Sequence, residues 1–585
     1  MITKTNYRIS LFRLIIYGLL FAFLQTHARF YFYYMEQNQQ FQYTWYYLKT
    51  HLTEPAGGFS SVISGFLNSF FLLPCAGAAI TAALLACAGW LTHRFVRRIA
   101  PQTELLPACL LPVIALMLIH LNANYLPYGT VAFILMLMAL NMSLSIKAFR
   151  SLSGKAFRLR LIFHLLTTVV LFYIAGPVSM LYAVIVMICE LRNGSIRRRY
   201  PVLLVLIVAF LSGVAGVYLE VYTDWRFAFL PDRYFHNKWL PGTLLYLSWF
   251  SLLLPVVLAC LIRKMKTAYV LIQVVLVAGC CWWGIQRYGL REQSTIMEFD
   301  YYCRTEQWNK ITERGKGSLN DYLSICYVNM ALAQQGELGN KAFMYDQAGV
   351  EGLICRWDKS ASASLLLSEI YFTMNNIALS QKMAFESFVI TDNPRMLKRL
   401  VQTNLIYGAY PVAEKYISRL EQMRGYREWA KAHRRFLYNE PAIEQDEVLG
   451  SKRKSLVKVN YLSKIEGLDM DLQQSAVHNP ADRTSIEYAG VLYLLAKDME
   501  RFRQLIESYY QTDILPHLPV SFQEAILILS LKEPDYWKQY DIPEATVQRF
   551  SEFIKAGTAQ TNNPKSQTSI KSIYGHTYWY YYLFK

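Results

Sequence analysis

Excess positive charge is confined to the half of the chain that also carries its long apolar runs. The sequence of 585 residues has a formal net charge of +17. Residues 1–290 hold 24 lysines and arginines against 7 acidic residues, whereas residues 291–585 hold 35 of each sign. Basic clusters between apolar runs are typical of a multi-spanning membrane protein. The sequence therefore predicts a transmembrane domain over 1–290, followed by a neutral water-soluble domain.

The basic composition does not indicate nucleic-acid binding, because the excess lies in short loops between apolar runs and the polar half is neutral. No cofactor or metal site is predicted either. Seven of the ten cysteines lie in or beside apolar runs, where cysteine acts as a small hydrophobic residue. Two of the other three, Cys303, Cys326 and Cys355, could form one disulfide if their domain lies outside the cytoplasm.

A membrane span needs about 20 mostly apolar residues. On this criterion we predict about nine spans, near 11–28, 61–91, 104–121, 127–146, 158–175, 177–193, 201–219, 242–262 and 267–286. Alternate connecting segments carry 18 lysines and arginines on one side and five on the other. Because positive loops stay cytoplasmic, the N-terminus is predicted inside and the C-terminal half in the periplasm of an inner membrane.

One stretch leaves the span count open. Residues 161–189 contain no acidic residue, lysine or arginine, and Gly176-Pro177 divides them. We interpret this stretch as two helices joined by a tight turn. A single long helix kinked at the proline is the alternative, and it reverses the orientation of everything that follows.

Two long outside loops, 29–60 and 220–241, are rich in Tyr, Trp and Phe. This composition is typical of segments at the membrane interface, in an aromatic belt or a surface helix. The other interpretation is a lid or floor for a lipid-linked substrate. For that interpretation the candidate acids are Glu36, Asp224 and Asp232, and the candidate anion-binding residues are Arg29, Arg226 and Arg233.

Residues 291–555 have helical periodicity and a degenerate repeat. In the best unit, 397–420, Gly408, Tyr410 and Ala413 stand where a tetratricopeptide repeat has its turn glycine, aromatic residue and small residue. Ser380 matches Ala413 at an offset of 33 residues, close to the roughly 34 of that repeat class. We predict an all-α, tetratricopeptide-like array whose concave face, with Tyr410, binds a peptide or protein partner; packing on the transmembrane domain is the alternative.

The polar segment 440–455 is predicted to be a loop that divides this array. Residues 556–585 are predicted to be a linker and an aromatic tail, and the tail must dock because so many exposed aromatic side chains are unfavourable in water. The two predicted places are the array and the membrane interface.

The stretches SLNDYLSICYVNMALAQQGELGNKAFMYDQAGVEGL, NLIYGAYPVAEKY and YGHTYWYYY resemble a family of polytopic membrane proteins from gut-type Bacteroidota, which is defined only as a domain of unknown function. The resemblance implies an envelope location and no activity. The overall architecture is also similar to lipid-linked sugar transferases, which place an acidic residue in the first long outer loop, where Glu36 stands here. An Asp-x-Asp or Glu-x-Asp pair is missing from that loop.

Two functions remain open at this stage. The first is an envelope scaffold or assembly factor that sits in membrane lipid and binds a periplasmic protein or peptide through its helical repeats. The alternative is a glycosyltransferase or ligase acting on a lipid-linked glycan, and only this alternative calls for a divalent metal. A transporter ranks third, because few ionisable residues lie within the predicted spans.

Overall fold

The computed structural model describes residues 4–38, 41–54, 56–122, 124–146, 154–193, 196–236, 241–262, 268–289, 291–317, 319, 321–457, 467–558 and 570–585. Within these ranges the regular structure is helical, and β-pairing is limited to isolated bridges. The chain separates into two compact units. The N-terminal unit is Met1–Met297 with Gln422–Gly425, and the C-terminal unit is Glu298–Glu421 with Tyr426–Lys585.

The helices before residue 290 differ widely in length. They are α1 (Lys4–His27), α2 (Arg29–Asn38), α3 (Trp45–Thr53), α4 (Gly58–Asn68), α5 (Ala76–Ile99), α6 (Leu111–Ile119), α7 (Tyr128–Ser145), α8 (Gly154–Ala175), α9 (Val178–Asn193), α10 (Ile196–Tyr218), α11 (Trp225–Phe229), α12 (Thr243–Phe250), α13 (Leu253–Leu261) and α14 (Ala268–Tyr288). Short 3₁₀ helices occupy Ala108–Leu110 and Pro231–Tyr234.

Six described segments are long and apolar enough to cross a membrane, where the sequence predicts nine. They are Ala76–Ile99, Tyr128–Ser145, Ala156–Ala175, Pro201–Tyr218, Thr243–Leu261 and Tyr269–Tyr288. The predicted spans near 11–28, 104–121 and 177–193 hold shorter apolar helices of 10–17 residues. The predicted span 61–91 is divided: α4 ends at Asn68 and α5 begins at Ala76, with turns around Pro74 between them. A hydropathy window cannot register such a break, since the turn residues are themselves apolar.

The uncharged stretch 161–189 forms two helices. α8 ends at Ala175, Gly176 adopts a left-handed φ of +88°, and α9 begins at Val178 and packs against α8. A Cβ on Gly176 would lie 3.1 Å from the Ala56 carbonyl oxygen, so both the backbone angle and the space favour glycine.

From residue 291 onward the helices are mostly short. They are α15 (Arg291–Arg304), α16 (Trp308–Gly315), α17 (Tyr322–Gln334), α18 (Leu338–Lys341), α19 (Ala361–Thr373), α20 (Ile377–Thr391), α21 (Pro394–Ile406), α22 (Tyr410–Leu420), α23 (Arg427–His433), α24 (Glu440–Gln445), α25 (Glu447–Lys454), α26 (Leu468–His478), α27 (Thr484–Ala496), α28 (Met499–Tyr509), α29 (Val520–Leu529), α30 (Glu544–Thr558) and α31 (Tyr578–Phe584).

One turn geometry recurs between successive helices of the C-terminal unit. A residue in the left-handed conformation ends the first helix, and the next residue donates its backbone N–H to the carbonyl five residues back, at 2.8–2.9 Å. This is the Schellman helix ending, which satisfies carbonyls that the helix leaves without partners. The left-handed residues are Glu306, Gly336, Asn375, Gly408 and Lys497. One turn geometry thus joins five pairs of successive helices, and in the pairs α19/α20 and α21/α22 the two helices pack against each other as hairpins.

The predicted loop 440–455 is instead helical, and that prediction is wrong. α24 and α25 occupy most of it. The Asn439 side chain accepts a hydrogen bond from the Ala442 N–H, and Asp446 accepts from the N–H groups of Val448 and Leu449. These two N-caps start two short helices in a polar sequence that has little apolar periodicity.

The aromatic tail docks within the C-terminal unit. Trp579 is fully buried, and its Nε1 donates to the Glu524 carbonyl at 2.9 Å. The Tyr578 backbone N–H donates to Glu524 Oε2 at 2.6 Å. The Trp579 ring packs on Phe550 and Phe553, with centroids 5.1 and 5.9 Å apart. The tail thus adds a layer to α29 and α30. Most of the predicted linker, 559–569, lies outside the described residues.

Candidate functional site

Asp224 and Arg226, predicted as a candidate acid and a candidate anion-binding residue, pair with each other. Asp224 is the N-cap of α11, where its Oδ1 accepts from the Arg226 backbone N–H at 2.9 Å. Its Oδ2 accepts from Arg226 Nη2, also at 2.9 Å. The side-chain hydrogen bond from Arg226 lowers the pKa of Asp224. This exposed pair therefore organises the start of the helix and leaves neither charge unopposed.

Asp232 is the buried acid of the second loop. It lies in the 3₁₀ helix Pro231–Tyr234, and its Oδ1 accepts a hydrogen bond from the Tyr246 hydroxyl at 3.1 Å. Among the described residues its Oδ2 has no hydrogen-bond partner. Burial raises the pKa of this carboxyl group.

The two long loops of the N-terminal unit meet through Arg233. Its Nη2 lies 3.7 Å from Glu54 Oε1, and its guanidinium lies 5.6 Å from the centroid of the Tyr222 ring. The Tyr128 hydroxyl donates to the Arg233 carbonyl. Arg233 therefore joins the two loops and is already matched by a carboxylate, which leaves less of its charge for an anionic ligand.

Glu36 and Arg29 lie on α2. Glu36 is fully buried, whereas Arg29 is exposed and lies 5.7 Å from the ring centroid of Phe30. Across the described residues, no group of three or more His, Cys, Asp or Glu side chains is close enough together to hold a metal ion. The predicted acids Glu36, Asp224 and Asp232 therefore do not form a metal centre among these residues.

Tyr410 has a structural position in the C-terminal unit. It is buried, its hydroxyl donates to Glu440 Oε1, and its ring lies 5.1 Å from that of Tyr438. Arg453 pairs with the same carboxylate. Tyr410 thus ties α22 to α24 and α25, and it does not line the cavity described next.

A cavity of about 470 Å³ opens among α15, α17, α19, α21, α25 and α27 of the C-terminal unit; we call it the Lys398 pocket. Its wall consists of Cys303, Arg304, Glu306, Trp308, Ala333, Gln334, Glu369, Phe372, Thr373, Arg395, Lys398, Arg399, Gln402, Tyr426, Glu447, Val448, Ser451, Lys452, Asp482 and Thr484. Its volume is within the range of about 300–1,000 Å³ that is usual for ligand sites.

The base of the Lys398 pocket is a buried ion cluster. Arg395 Nη1 lies 2.7 Å from Asp300 Oδ1, and Arg395 Nε lies 2.9 Å from Glu369 Oε1. Arg399 pairs with the other oxygen of Glu369. Burial on its own raises the pKa of Glu369, but Arg399 and Arg395 outweigh burial and hold the pKa at about 2. The two arginines and two carboxylates balance, so the cluster is formally neutral.

Lys398 stands beside this cluster without a carboxylate of its own. Its Nζ lies 4.7 Å from the centroid of the Trp429 ring, and among the described residues it makes no hydrogen bond or ion pair. Burial, followed by repulsion from Arg304, Arg399 and Arg395, lowers its pKa to about 8. The ammonium group thus lies where local positive charge exceeds negative charge.

Lys452 is a second partly buried lysine in the wall of the same cavity. It donates to the Thr373 carbonyl at 3.2 Å and to Asn375 Oδ1 at 2.5 Å. Burial lowers its pKa to about 8, and the neighbouring Asp482 opposes that shift. The wall of the pocket thus contains two lysines, a residue type that forms charge-assisted hydrogen bonds with anionic groups.

The sequence analysis did not identify this pocket, although one signal for it is present. Arg395, Lys398, Arg399 and Gln402 recur at the spacing of one helical face, and all four line the cavity. The intervening Met396, Leu397, Leu400 and Val401 are buried. A strongly polar stripe on one helix is also usual for a solvated face, so the spacing identifies a cavity only when α15 and α25 are known to lie opposite it.

The chain shows no match to a curated protein or to a solved structure. A family model described as "Family of unknown function (DUF6057)" matches residues 4–585, which include both units and the docked tail. On this full-length match, the chain belongs to that family of unknown function.

Proposed function

We propose that the protein is a membrane-anchored scaffold or assembly factor of the cell envelope, which binds a partner protein through its C-terminal unit. The observation that carries this proposal is the Lys398 pocket, a ligand-sized cavity whose wall includes Lys398, a partly buried lysine that has no ion pair or hydrogen bond among the described residues. Such a group gains stabilisation when a partner supplies the missing negative charge.

The recurring turn geometry supports a tetratricopeptide-like array as the part of the protein that binds a partner. Five turns between successive helices share this geometry, and Gly408, the turn glycine expected of such a repeat, is the left-handed residue of one of them. On the second helix of three of these hairpins, the buried small or apolar residues Ser380, Ala413 and Phe502 each lie five residues after the left-handed residue. Stacked helical hairpins form extended concave surfaces that bind peptides and proteins.

Membrane anchoring follows from the N-terminal unit. Six long apolar helices are present, and we propose that the shorter segments Leu14–His27, Ala108–Ile119 and Val178–Leu191 cross with them, for nine spans in all. The distribution of lysine and arginine supports a cytoplasmic N-terminus and a periplasmic C-terminal unit in the inner membrane of a Bacteroidota host. A periplasm-only reporter fused after Lys585 tests this orientation: an active reporter supports it, and an active cytoplasmic reporter contradicts it.

In-cell crosslinking tests the binding function. A photoreactive phenylalanine analogue replaces Val448, an exposed residue on the wall of the Lys398 pocket, and in a matched variant it replaces Val389, an exposed residue of α20. We expect a discrete protein adduct from position 448 and none from position 389. Adducts from position 389 alone would mean that the protein binds a partner but does not use the Lys398 pocket to do so. Adducts from neither position, at normal abundance, contradict the proposal.

A transferase acting on a lipid-linked glycan is the second candidate, and Asp232 is the observation that favours it. A buried carboxyl group with a raised pKa and one oxygen lacking a described hydrogen-bond partner is suited to proton transfer. On this proposal Asp232 transfers the proton, and Arg226 or Arg233 binds the diphosphate. Asp232→Asn is expected to abolish an envelope glycan that Asp224→Asn leaves intact. Unchanged glycans in both variants contradict this candidate.

A further inference from the structure

The Lys398 pocket continues into a second cavity of about 550 Å³. Both cavities have Ala333, Gln334, Ser451, Asp482 and Thr484 in their walls. The two cavities are therefore halves of one groove in the C-terminal unit, and Asp482 lies at the junction. We call the second half the Glu487 pocket, since Glu487 is its buried acid.

The two halves of the groove differ in charge. On the inner wall of the Glu487 pocket the buried ionisable group is a carboxyl: Glu487 Oε2 accepts the Gly339 backbone N–H at 2.9 Å. Asp482 adds a second carboxylate at the junction, where it accepts from Asn375 Nδ2 at 3.0 Å. Arg483 also lines this half, but its side chain is exposed to solvent. His517 completes the ionisable residues of this wall.

Lys398 and Glu487 call for ligand charges of opposite sign. Lys398 is surrounded by an excess of arginines, so a carboxylate placed beside it relieves repulsion. Burial raises the pKa of Glu487 to about 7, against the lowering effects of the Gly339 N–H and of Arg483, so a further cation placed beside it favours its ionised form. A ligand that carries both charges in the matching order therefore satisfies both halves.

We propose that this groove binds an extended peptide segment that places an acidic side chain in the Lys398 pocket and a lysine or arginine side chain in the Glu487 pocket. The inference rests on the proposed binding function and specifies the chemistry of the partner. Charge complementarity along the groove carries the argument, because the partly buried Lys398 lines one half and the buried Glu487 lines the other, each opposite in sign to the side chain assigned to it.

Fluorescence anisotropy on the purified full-length protein in detergent tests this assignment with three labelled hexapeptides. The mixed peptide is Glu-Glu-Gly-Ser-Lys-Lys, the acidic peptide is Glu-Glu-Gly-Ser-Gln-Gln, and the basic peptide is Gln-Gln-Gly-Ser-Lys-Lys. We expect the mixed peptide to bind most tightly. Lys398→Gln should weaken the mixed and acidic peptides by about tenfold or more, as expected for loss of a charge-assisted hydrogen bond, and leave the basic peptide unchanged. Glu487→Gln should weaken only the mixed and basic peptides.

Controls separate binding from folding. Lys398→Arg keeps the charge and should retain the acidic peptide, and Lys382→Gln removes an exposed lysine of α20 and should change nothing. Equal weakening of all three peptides by Lys398→Gln, or equal binding of all three by the unaltered protein, overturns the assignment. Failure of every peptide to bind overturns it too. If no peptide binds but position 448 still crosslinks a partner in cells, the peptide assignment is wrong and the proposed binding function stands. If position 448 crosslinks nothing either, the assignment and the proposed function are both wrong.

Discussion

The two units are built from the same secondary structure but place their apolar side chains in opposite ways. In the N-terminal unit, helices such as α8 and α14 expose apolar residues: Leu166 and Leu276 are 63% and 62% exposed. In the C-terminal unit, α17 and α27 bury nearly all of theirs. Because exposed apolar area costs about 25 cal/mol per Å² in water, the first arrangement is unfavourable in water and is consistent with helices that cross a membrane. The helical content of a unit therefore does not indicate the environment of its helices, whereas the exposure or burial of their apolar side chains does.

Buried charge also differs between the units. In the C-terminal unit, Arg395, Asp300, Glu369 and Arg399 form a closed cluster beneath a cavity. In the N-terminal unit, Arg160 and Glu190 form a single pair between α8 and α9, at 2.9 Å. Beside the closed cluster stands Lys398, which has no ion pair among the described residues, and this lysine gives the C-terminal unit its candidate binding chemistry.

The largest effect is expected from opening the buried cluster. Glu369→Ala leaves Arg395 and Arg399 short of a carboxylate in a buried site, and it should lower the free energy of unfolding of the C-terminal unit by about 3–5 kcal/mol. Urea unfolding of the full-length protein in detergent, followed by limited proteolysis of this unit, measures the change. The control Glu313→Ala removes an exposed acid of α16 and should stay within about 0.5 kcal/mol. Similar values for both variants would show that the cluster is not structurally important.

Placing one lysine on an exposed apolar position of each unit tests the comparison directly. Leu276→Lys on α14 puts a charge where we infer lipid and should cost about 2.5–3.5 kcal/mol of insertion free energy. Val389→Lys on α20, where the native side chain is 64% exposed, should be nearly neutral. Alkali-resistant recovery in the membrane fraction measures the first variant, and urea unfolding measures the second. Equal tolerance at both positions would contradict a lipid-facing α14.

A pH dependence is expected from the docked tail of the C-terminal unit. Burial raises the pKa of Glu524 from its ordinary 4.5 to about 7, so the folded state holds a proton that the unfolded state releases between these values. The stabilisation that this bound proton gives the folded state is therefore complete below pH 4.5. It is lost as the pH rises to about 7, which lowers the free energy of unfolding by about 1–3 kcal/mol. Glu369, with its pKa of about 2, acts only at lower pH.

Glu524→Gln isolates this contribution, since glutamine cannot titrate but can still accept the Tyr578 backbone hydrogen bond. The free energy of unfolding is measured for the variant and for the unaltered protein at pH 4.5 and at pH 8. The difference between the two proteins should change by about 1–3 kcal/mol between these pH values. Glu487 shifts in the same range but cancels, because it is present in both proteins. Parallel pH profiles would argue against a buried neutral Glu524.

The smallest effect is expected at the repeated turn. Gly408 has φ of +74°, and a Cβ added to it would lie 3.9 Å from its nearest neighbour, Glu440 Oε1. Gly408→Ala therefore costs only the left-handed backbone conformation, about 1–2 kcal/mol. Gly467→Ala, at the N-cap of α26 with an ordinary φ of −114° and no described atom within 4 Å, lacks the left-handed penalty and should cost less. In the N-terminal unit, Gly176→Ala meets a backbone oxygen as well and should cost more. Equal urea midpoints for the 408 and 467 variants would contradict the turn assignment.

Local patterns in the sequence predict local structure well. The Gly408–Tyr410–Ala413 pattern predicts a hairpin turn where the structure has one, and Gly176-Pro177 marks the break between α8 and α9. The same turn at Glu306 and Lys497 has no glycine, so composition cannot reveal it. The predicted span 61–91 is too long because apolar residues continue through the break near Pro74, and three other predicted spans contain apolar helices of fewer than 18 residues.

The candidate site was beyond the reach of sequence alone for a different reason. Arg304 and Lys452 are separated by 148 residues, and only the packing of distant helices brings them to one cavity. The charged residues predicted in the loops are visible in the sequence, yet Asp224 pairs with the nearby Arg226 and Arg233 pairs with Glu54 of the other loop. Whether a charged residue has a partner therefore depends on packing between distant segments, which also places Lys398 beside an excess of arginines.

The docked tail has a consequence for the order of synthesis. Trp579 fills space against α29 and α30, and its indole bonds the Glu524 carbonyl. The chain therefore makes α29 and α30 before it makes the residue that covers them, so this aromatic core is completed only by the last part of the sequence. A chain cut short before residue 578 would leave that aromatic surface exposed, and exposed apolar patches of this kind promote aggregation.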